Sequence, residues 1–248
     1  VIESDQCYPG VVYPLKLDYF RRDQWRLMID FTPYVEEIAE QLSSFKEDDL
    51  RIFATSSFQT NSVVLLHLMA TLAPDIPVHM MNTGFLFPET LMFRDKLVKE
   101  FGINIVTLKS ETPLLQQRCG QGRFLFASDP DACCHINKVV PLEPIIAQHD
   151  VWINGVRGSQ SATRRAMKKL QPTERILRYH PLLEWDSRMV YYYLEQNNLP
   201  KHPLENDGFV SIGCRPCTRK WADTLDDRGG RWAGLNKTEC GLHTTLGS

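Results

Sequence analysis

The sequence lacks several features that would identify a function at once. It has no apolar run of about 18 residues, so we expect no membrane span. Its opening stretch, VIESDQCYPG, has neither the basic nor the apolar region of a secretory signal, and because it does not begin with Met we expect further residues before it. A net charge of −2 argues against a broad nucleic-acid-binding surface, so any bound anion needs a local group of basic residues.

Repeats, low-complexity stretches and Pro/Gly-rich linkers are also lacking, and 248 residues with 43% hydrophobic content can bury one large core. We therefore expect a single domain over 1–248, made of an N-terminal arm and helix (1–45), a core (46–221) and a C-terminal segment (222–248). Seven cysteines without a secretory signal disfavour a disulfide framework. They predict a reduced, cytoplasmic protein whose cysteines do chemistry.

The hydrophobic pattern predicts alternating strands and helices. TPYVEEIAEQLSSF has apolar residues at helical spacing, with Thr32 as the predicted N-cap and Pro33 at the first helical position. Buried strands are predicted in LRIFATSS, IPVHMMNTG, INIVTLKS and VWINGVRG, and helices in NSVVLLHLMATL, PETLMFRDKLVKEF and DSRMVYYYLEQNNL, the last capped by Asp186. After about Leu199 the periodicity stops.

This alternation predicts an α/β fold with a mostly parallel sheet and helices on both faces. Ligands of such folds bind beyond the carboxyl ends of the strands. The expected site therefore includes Ser56–Gln59, Asn82–Phe87 and Gly155–Arg164.

The turn ATSSFQTNS joins the first strand to its helix. Small hydroxyl residues at a helix N-terminus favour anion binding, but the glycines of the Walker A and Rossmann loops are absent. An ordinary helix-capping turn is the alternative.

Four cysteines form two close pairs, Cys133–Cys134 and the CxxC of Cys214 and Cys217. Adjacent side chains diverge, so two vicinal thiolates suit a bulky [4Fe–4S] cluster better than a single ion, with tetrahedral Zn²⁺ as the second choice. The alternatives to metal binding are a buried apolar cysteine pair and a redox-active CxxC. If the vicinal pair opens a helix, Lys138 lies one turn on from Cys134, on the cluster's side.

Basic residues gather in two loops, GVRGSQSATRR with Arg157, Arg164 and Arg165, and DDRGGRW with Arg228 and Arg231. Guanidinium groups match phosphate or sulfate oxygens, although surface arginines can also serve solubility alone. In the tail, Cys240 has Lys237 and His243 three residues away on either side. Cations there would lower the pKa of its thiol and favour a nucleophilic thiolate, while Glu239 acts in the opposite direction.

Together these stretches resemble the assimilatory sulfonucleotide reductases, which reduce adenylyl sulfate (APS) or its 3′-phosphorylated form (PAPS) to sulfite. The resemblance extends from about Leu50 to His243, and KTECGLH is its most specific motif. The two cysteine pairs resemble the cluster-bearing, APS-reducing branch. SSFQTNS and INKV depart from that branch, so PAPS reduction or dual use is the alternative.

The resemblance implies an adenine nucleotide alpha hydrolase-like (PP-loop type) fold with a mobile C-terminal tail. It implies an oxidoreductase that acts on a sulfur group with a disulfide as acceptor. Cys240 would attack the sulfonucleotide to give an S-sulfonate and AMP, assisted by Lys138 and His243. Thioredoxin or glutaredoxin would then release sulfite. The cluster ligands would be Cys133, Cys134, Cys214 and Cys217. The substrate-binding residues would be Ser56, Ser57, Thr83, Gly84, Arg157, Arg164, Arg228 and Arg231.

Neither a nucleic acid nor a membrane is expected as a partner, a homo-oligomer is left open, and Cys7 and Cys119 receive no role. Two other classes of function compete with this hypothesis. A PP-loop ATP pyrophosphatase such as a tRNA thiolase should carry SGGxDS after the first strand, which this chain lacks. A non-enzymatic Fe–S or zinc sensor would have no use for Cys240.

Overall fold

In a computed structural model of the chain, the described residues are 29–220, 228, 230–232, 237, 239–244 and 246. The chain divides into two compact units, Val1–Asp30 and Phe31–Ser248. Most of the predicted N-terminal arm, with Cys7, lies outside the described residues. The predicted boundary at residue 45 falls within the second unit.

Six strands form one sheet in the order β3-β2-β1-β4-β6-β5. Their bounds are β1 Ile52–Thr55, β2 Val78–Met81, β3 Ile105–Leu108, β4 Val151–Asn154, β5 Leu170–Pro172 and β6 Leu177–Tyr179. All neighbours pair in parallel except β5, which runs antiparallel to β6 at the edge. The expected mostly parallel sheet is confirmed, while β5 and β6 were not expected.

Helices follow the strands as the periodicity predicts. They are α1 Thr32–Glu47, α2 Thr60–Leu72, α3 Pro88–Phe101, α4 Leu125–Ser128, α5 Pro130–Cys134, α6 Val140–Ala147, α7 Ala162–Arg165, α8 Ser187–Gln196 and α9 Gly241–Thr244. In the described part of the chain, no helix combines the length and apolar character needed to cross a membrane.

Two helix starts test the predicted caps. Asp186 caps α8 as expected, since its side chain accepts a hydrogen bond from the Met189 backbone N–H at 2.9 Å. Thr32 as the N-cap of α1 is wrong. That position belongs to Phe31, which already has helical backbone angles and stacks on Trp185 with ring centroids 5.0 Å apart.

The vicinal cysteines do not open a helix, so the condition under which Lys138 was placed on the cluster's side is not met as stated. Asp129 caps α5 by accepting from the Ala132 N–H at 3.0 Å, so Cys133 and Cys134 close that helix. One π-helical turn, His135–Val139, then leads into α6. Such turns often occur at functional sites, and this one carries Lys138.

The strand order also fixes where a ligand can bind. β2 lies on one side of β1, and β4 lies on the other side. The strand order therefore reverses between β1 and β4. In parallel sheets a crevice opens at such a point, here at the carboxyl ends of the strands, between Thr55 of β1 and Asn154 of β4.

Candidate active site

A cavity lies at this carboxyl edge of the sheet. It brings together most of the residues predicted to bind substrate or to act on it. Those that line it are Ser56, Ser57, Thr83, Lys138, Arg164, Arg228, Arg231 and Cys240. They come from the ends of β1 and β2, the π-helical turn, α7 and the C-terminal segment.

The turn after β1 is held in a strained conformation. Phe58 is fully buried with φ of 55°, which is rare for a bulky residue, and its N–H donates to the Ser56 hydroxyl at 3.2 Å. Gln59 is the N-cap of α2 but makes no side-chain cap, because its Oε1 accepts from the Ile212 N–H at 3.0 Å. The first N–H groups of α2 therefore have no side-chain cap from this turn, which favours the anion-binding interpretation over an ordinary cap.

Two predicted substrate ligands do not line the cavity. Arg157 is fully buried, and its Nη1 donates to Ser187 at 3.1 Å and to Ser159 at 3.4 Å. Gly84 has φ of 75°, and its N–H donates to Asn82 Oδ1 at 3.1 Å. Both residues make contacts within the loops beside the cavity and do not form part of its lining.

Gly84→Ala should destabilise the protein by about 1–3 kcal/mol, because a left-handed backbone strains any side chain. A methyl group there would also lie 2.7 Å from Leu114 Cδ1. Thermal unfolding would measure the loss. Gly102→Ala provides a matched control for steric clash, because Gly102 has φ of 66° with nothing within 4 Å of an added Cβ. Equal losses at both positions would show that the Leu114 contact contributes nothing.

All four paired cysteines line a second, smaller pocket beside the first. Its wall also includes Phe85, Phe126, Pro130 and Pro216, while Thr83, Lys138 and Cys214 line both cavities. The CxxC segment reaches this position because the Arg215 N–H donates to the Phe85 carbonyl at 2.8 Å. The two cysteine pairs, 80 residues apart in sequence, therefore meet as the cluster hypothesis requires.

Donors to the sulfurs accompany this pocket. The Thr83 hydroxyl lies 3.2 Å from Cys214 Sγ, and Asn137 Nδ2 donates to Cys133 Sγ at 3.6 Å. Burial and then the neighbouring thiols raise the pKa of Cys133 to about 11. A cationic metal group would reverse this effect, because it favours thiolates.

The donor set fits a thiolate-bound cluster by its chemistry: four cysteines around one pocket, hydrogen-bond donors to their sulfurs and an adjacent lysine. Among the described residues, no three His, Cys, Asp or Glu side chains lie close enough to hold a single metal ion. The fit therefore rests on the shared pocket and its donors.

Lys138 lies in the wall between the two cavities. Burial would lower its pKa, but the thiols of Cys214, Cys134 and Cys240 raise the pKa above its ordinary value. The lysine therefore stays protonated, with sulfur atoms on both sides of it.

Gly230 and Trp232 are anchored to the CxxC segment and the residues after it. The Trp232 N–H donates to the Cys217 carbonyl at 3.1 Å, and the Arg219 N–H donates to the Gly230 carbonyl at 2.9 Å. The Arg231 guanidinium then fills the space where a side chain at Gly213 would lie.

Gly213→Ala should lower activity by about tenfold while the fold stays intact. Its Cβ would lie 2.5 Å from Arg231 Cζ, and the flexible arginine can move away more easily than backbone can. A displaced cation weakens charge stabilisation at the reacting group by roughly that factor or more. Turnover and thermal unfolding together would test this, with Gly120→Ala as a control because nothing lies within 4 Å of its added Cβ. Unchanged turnover would show that the position of Arg231 is unimportant.

The described residues 239–244 and 246, which we call the tail, reach the same cavity. Leu242 and Leu246 are buried in a core cluster with Phe53, Val139 and Trp152, and Cys240 packs against this cluster. The C-terminal segment is thus anchored by its own apolar residues, despite its position near the end of the sequence.

The environment of Cys240 favours its thiolate. Burial would raise the pKa of this thiol, but Lys138, the Leu242 N–H, Arg164 and Arg228 together lower it below its ordinary value. Lys237, expected beside the sulfur, forms an ion pair with Asp131. His243 lies in α9, and its side chain is outside the described part of the structure.

Sequence reasoning missed several residues of this site. Arg178 of β6 is fully buried, lies 4.8 Å over the Trp152 ring and interacts electrostatically with Cys240. Glu239 binds Arg164 rather than simply opposing the thiolate. Neither pairing has a local signal, because the partners are far apart in sequence.

Comparison with known proteins agrees with this geometry. Residues 51–220 match the phosphoadenosine phosphosulfate reductase domain. The chain is 36% identical to the adenosine 5′-phosphosulfate reductase of Rhodococcus erythropolis over 184 residues, covering 73% of this chain and 74% of that protein. It is also 36% identical to the phosphoadenosine 5′-phosphosulfate reductase of Gloeobacter violaceus over 211 residues, covering 83% and 86%.

A solved structure shares the fold. The phosphoadenylyl-sulfate reductase of Candida auris, in a phosphate complex, superposes with a TM-score of 0.61 at 19% identity, over 83% of this chain and 98% of that one. At this identity the likeness shows the fold alone. The family match and the sequence relatives show more: the chain belongs to the APS/PAPS reductase family.

Proposed function

We propose that this protein reduces APS to sulfite and AMP, with Cys240 as the nucleophile. The observation that carries the proposal is the Cys240 thiol in the strand-edge cavity, with Lys138, Arg164 and Arg228 lowering its pKa. A thiolate among cations suits attack on an anionic sulfur group. A sensor without enzymatic activity would not need this arrangement.

The cavity offers distinct partners for the two ends of the substrate. The N-terminus of α2, with Ser56 and Ser57, can receive a nucleotide phosphate. Arg228, Arg231 and Lys138 line the same cavity as Cys240 and supply positive charge for the sulfate. Thr83 lies between the substrate cavity and the cysteine pocket.

The reaction then proceeds by two displacements. The Cys240 thiolate attacks the sulfur of APS, the bond between sulfur and the bridging phosphate oxygen breaks, and AMP leaves with the electron pair of that bond. Cys240 now carries an S-sulfonate. A reduced thioredoxin or glutaredoxin attacks Cys240 Sγ through one thiol and releases sulfite. Its second thiol resolves the mixed disulfide, restoring Cys240 and leaving an oxidised reductant.

Cys133, Cys134, Cys214 and Cys217 would hold a [4Fe–4S] cluster in the pocket that they line. When bound, the cluster would supply a fixed electrostatic field at the sulfate end of the substrate, without a redox change of its own. Lys138 orients and neutralises the sulfate from its place between the two cavities, and it stabilises the Cys240 thiolate.

Mass spectrometry tests the intermediate directly. After incubation with APS and no reductant, the peptide containing Cys240 should gain one SO₃ group, and thioredoxin should then release sulfite. Sulfite formation with the adduct on another cysteine, or with no adduct, would contradict the proposed chemistry.

Reduction of PAPS is the alternative. The turn SSFQTNS motivates it, and the Gloeobacter violaceus relative is named for PAPS. Measuring kcat/KM for both nucleotides decides between them. A higher value for APS supports the proposal, and a higher value for PAPS would reassign the substrate.

A further inference from the structure

Glu239, the residue before the nucleophile, is held by three side chains of the core. Its carboxylate accepts from Arg164 Nε and Nη2, both at 2.9 Å, and from the Ser161 hydroxyl at 2.9 Å. Arg228 Nη2 lies 3.2 Å from the same carboxylate. We call Ser161, Arg164, Arg228 and Glu239 the tail clamp.

The clamp is buried, which makes its charges interdependent. The side chains of Arg164 and Glu239 are only 7% and 3% exposed. Removing one partner of a buried ion pair leaves the other charge without compensation. The docked position of the segment around Glu239 and Cys240 therefore depends on both charges being present. The bidentate geometry also fixes the direction in which the tail leaves the clamp.

Arg164 is the central member of the clamp while the tail is docked. Its Nε and Nη2 bind Glu239, and its Nη1 donates to Gln160 Oε1. Ser161 also caps α7 by accepting from the Arg164 N–H at 3.2 Å. All three guanidinium nitrogens of Arg164 are thus engaged in this arrangement, and its role as a ligand of the substrate stays a prediction.

Two different kinds of contact hold the tail. Leu242 and Leu246 dock by apolar burial, which has little directional preference. The clamp is directional and lies immediately before Cys240.

We propose that Glu239 is a positioning residue, whose carboxylate, held by Arg164 and Arg228, keeps Cys240 in the cavity for attack on the substrate. This proposal rests on the proposed function for its role in turnover. The clamp itself is independent of the reaction and can be measured without substrate.

Alkylation of Cys240 by iodoacetamide, without nucleotide, tests the clamp. The full chain is prepared anaerobically and the modified peptides are quantified by mass spectrometry. The rate is compared at its alkaline limit, where the thiol is fully ionised and its pKa no longer matters. There Glu239→Gln should raise the rate at Cys240 at least about tenfold, because a buried guanidinium without its carboxylate favours the open tail. Cys119 serves as an internal reference, since the Gln121 backbone N–H and the Ser128 hydroxyl lower the pKa of its thiol to about 7.

Matched variants separate the clamp from general effects. Glu143→Gln makes the same chemical change in a surface pair with Arg175 at 3.5 Å, and it should leave Cys240 labelling unchanged. Glu239→Asp keeps the charge and should give an intermediate rate. Arg164→Lys keeps the positive charge but loses one of the two hydrogen bonds to Glu239, so it should also raise labelling of Cys240. This variant provides the test if Glu239→Gln does not fold.

Separate half-reactions connect the clamp to turnover. Glu239→Gln should slow formation of the Cys240 S-sulfonate, while release of sulfite from a preformed S-sulfonate should stay as fast as in the wild type or become faster. Wild-type labelling rates at Cys240 in folded Glu239→Gln and Arg164→Lys would overturn the proposal. If no S-sulfonate forms in the wild type, the proposed function fails, but the labelling result still decides whether the clamp exists.

Discussion

Cys240→Ser should abolish sulfite formation, lowering kcat by at least about 10⁴-fold, as loss of a covalent nucleophile does in other enzymes. The cations around Cys240 lower the pKa of a thiol, but they cannot ionise a serine hydroxyl near neutral pH. Sulfite release with APS and reduced thioredoxin measures the effect. No S-sulfonate should form on the variant.

A binding measurement shows whether the loss is chemical. Calorimetric affinity for AMP should remain close to that of the wild type, because serine changes neither the shape nor the charge of the phosphate end. Cys119→Ser is the matched control and should retain activity, since this thiol does not line the cavity. Turnover by Cys240→Ser, or its loss in Cys119→Ser, would contradict the assignment of the nucleophile.

The elements that position the site were predictable because they have strong local signals. β1, β2 and β4 are buried apolar strands with clear ends, and α3 has the bounds that its periodicity predicts. The short strands β5 and β6 lack such signals. β6 contains Arg178, which is fully buried, and a charged residue interrupts the apolar pattern of a strand. β6 is a strand because it pairs with β4, and the periodicity of the sequence does not show that pairing.

Within the site, the sequence indicates which residues lie at the cavity better than it indicates which side chains contact each other. Loops at strand ends place Ser56 and Thr83 at the cavity, as expected for a parallel sheet. The Arg164–Glu239 pair spans 75 residues, and only the folded chain brings it together. Arg157 resembles a substrate ligand in sequence, yet it is buried against Ser187. The π-helical turn likewise has no 3.6-residue signal, so the sequence left open where the helix with the vicinal cysteines begins.

Lys138→Met should lower kcat by roughly 10²-fold and move the pH dependence of the first half-reaction to higher pH. The lysine lines both the cysteine pocket and the cavity with Cys240, so in the proposed reaction its charge would serve both the sulfate and the thiolate. Loss of one well-placed charge or donor at a reacting group typically has an effect of this size. Because Lys138 lowers the pKa of Cys240, its removal raises that pKa and reduces the thiolate fraction at neutral pH. S-sulfonate formation measured across pH gives both effects.

Charge can be separated from shape by two further variants. Lys138→Arg keeps the positive charge and should retain the low pKa of Cys240, even if the larger group slows turnover. Lys99→Met removes a lysine from an exposed position at the end of α3 and should change neither the rate nor the pH dependence. Iron analysis of the wild type and of each variant shows whether the cysteine pocket holds the proposed cluster. If Lys138→Met keeps its iron, its rate and its pH dependence, the lysine is a structural neighbour of the sulfurs, and the electrostatic role proposed for it is wrong.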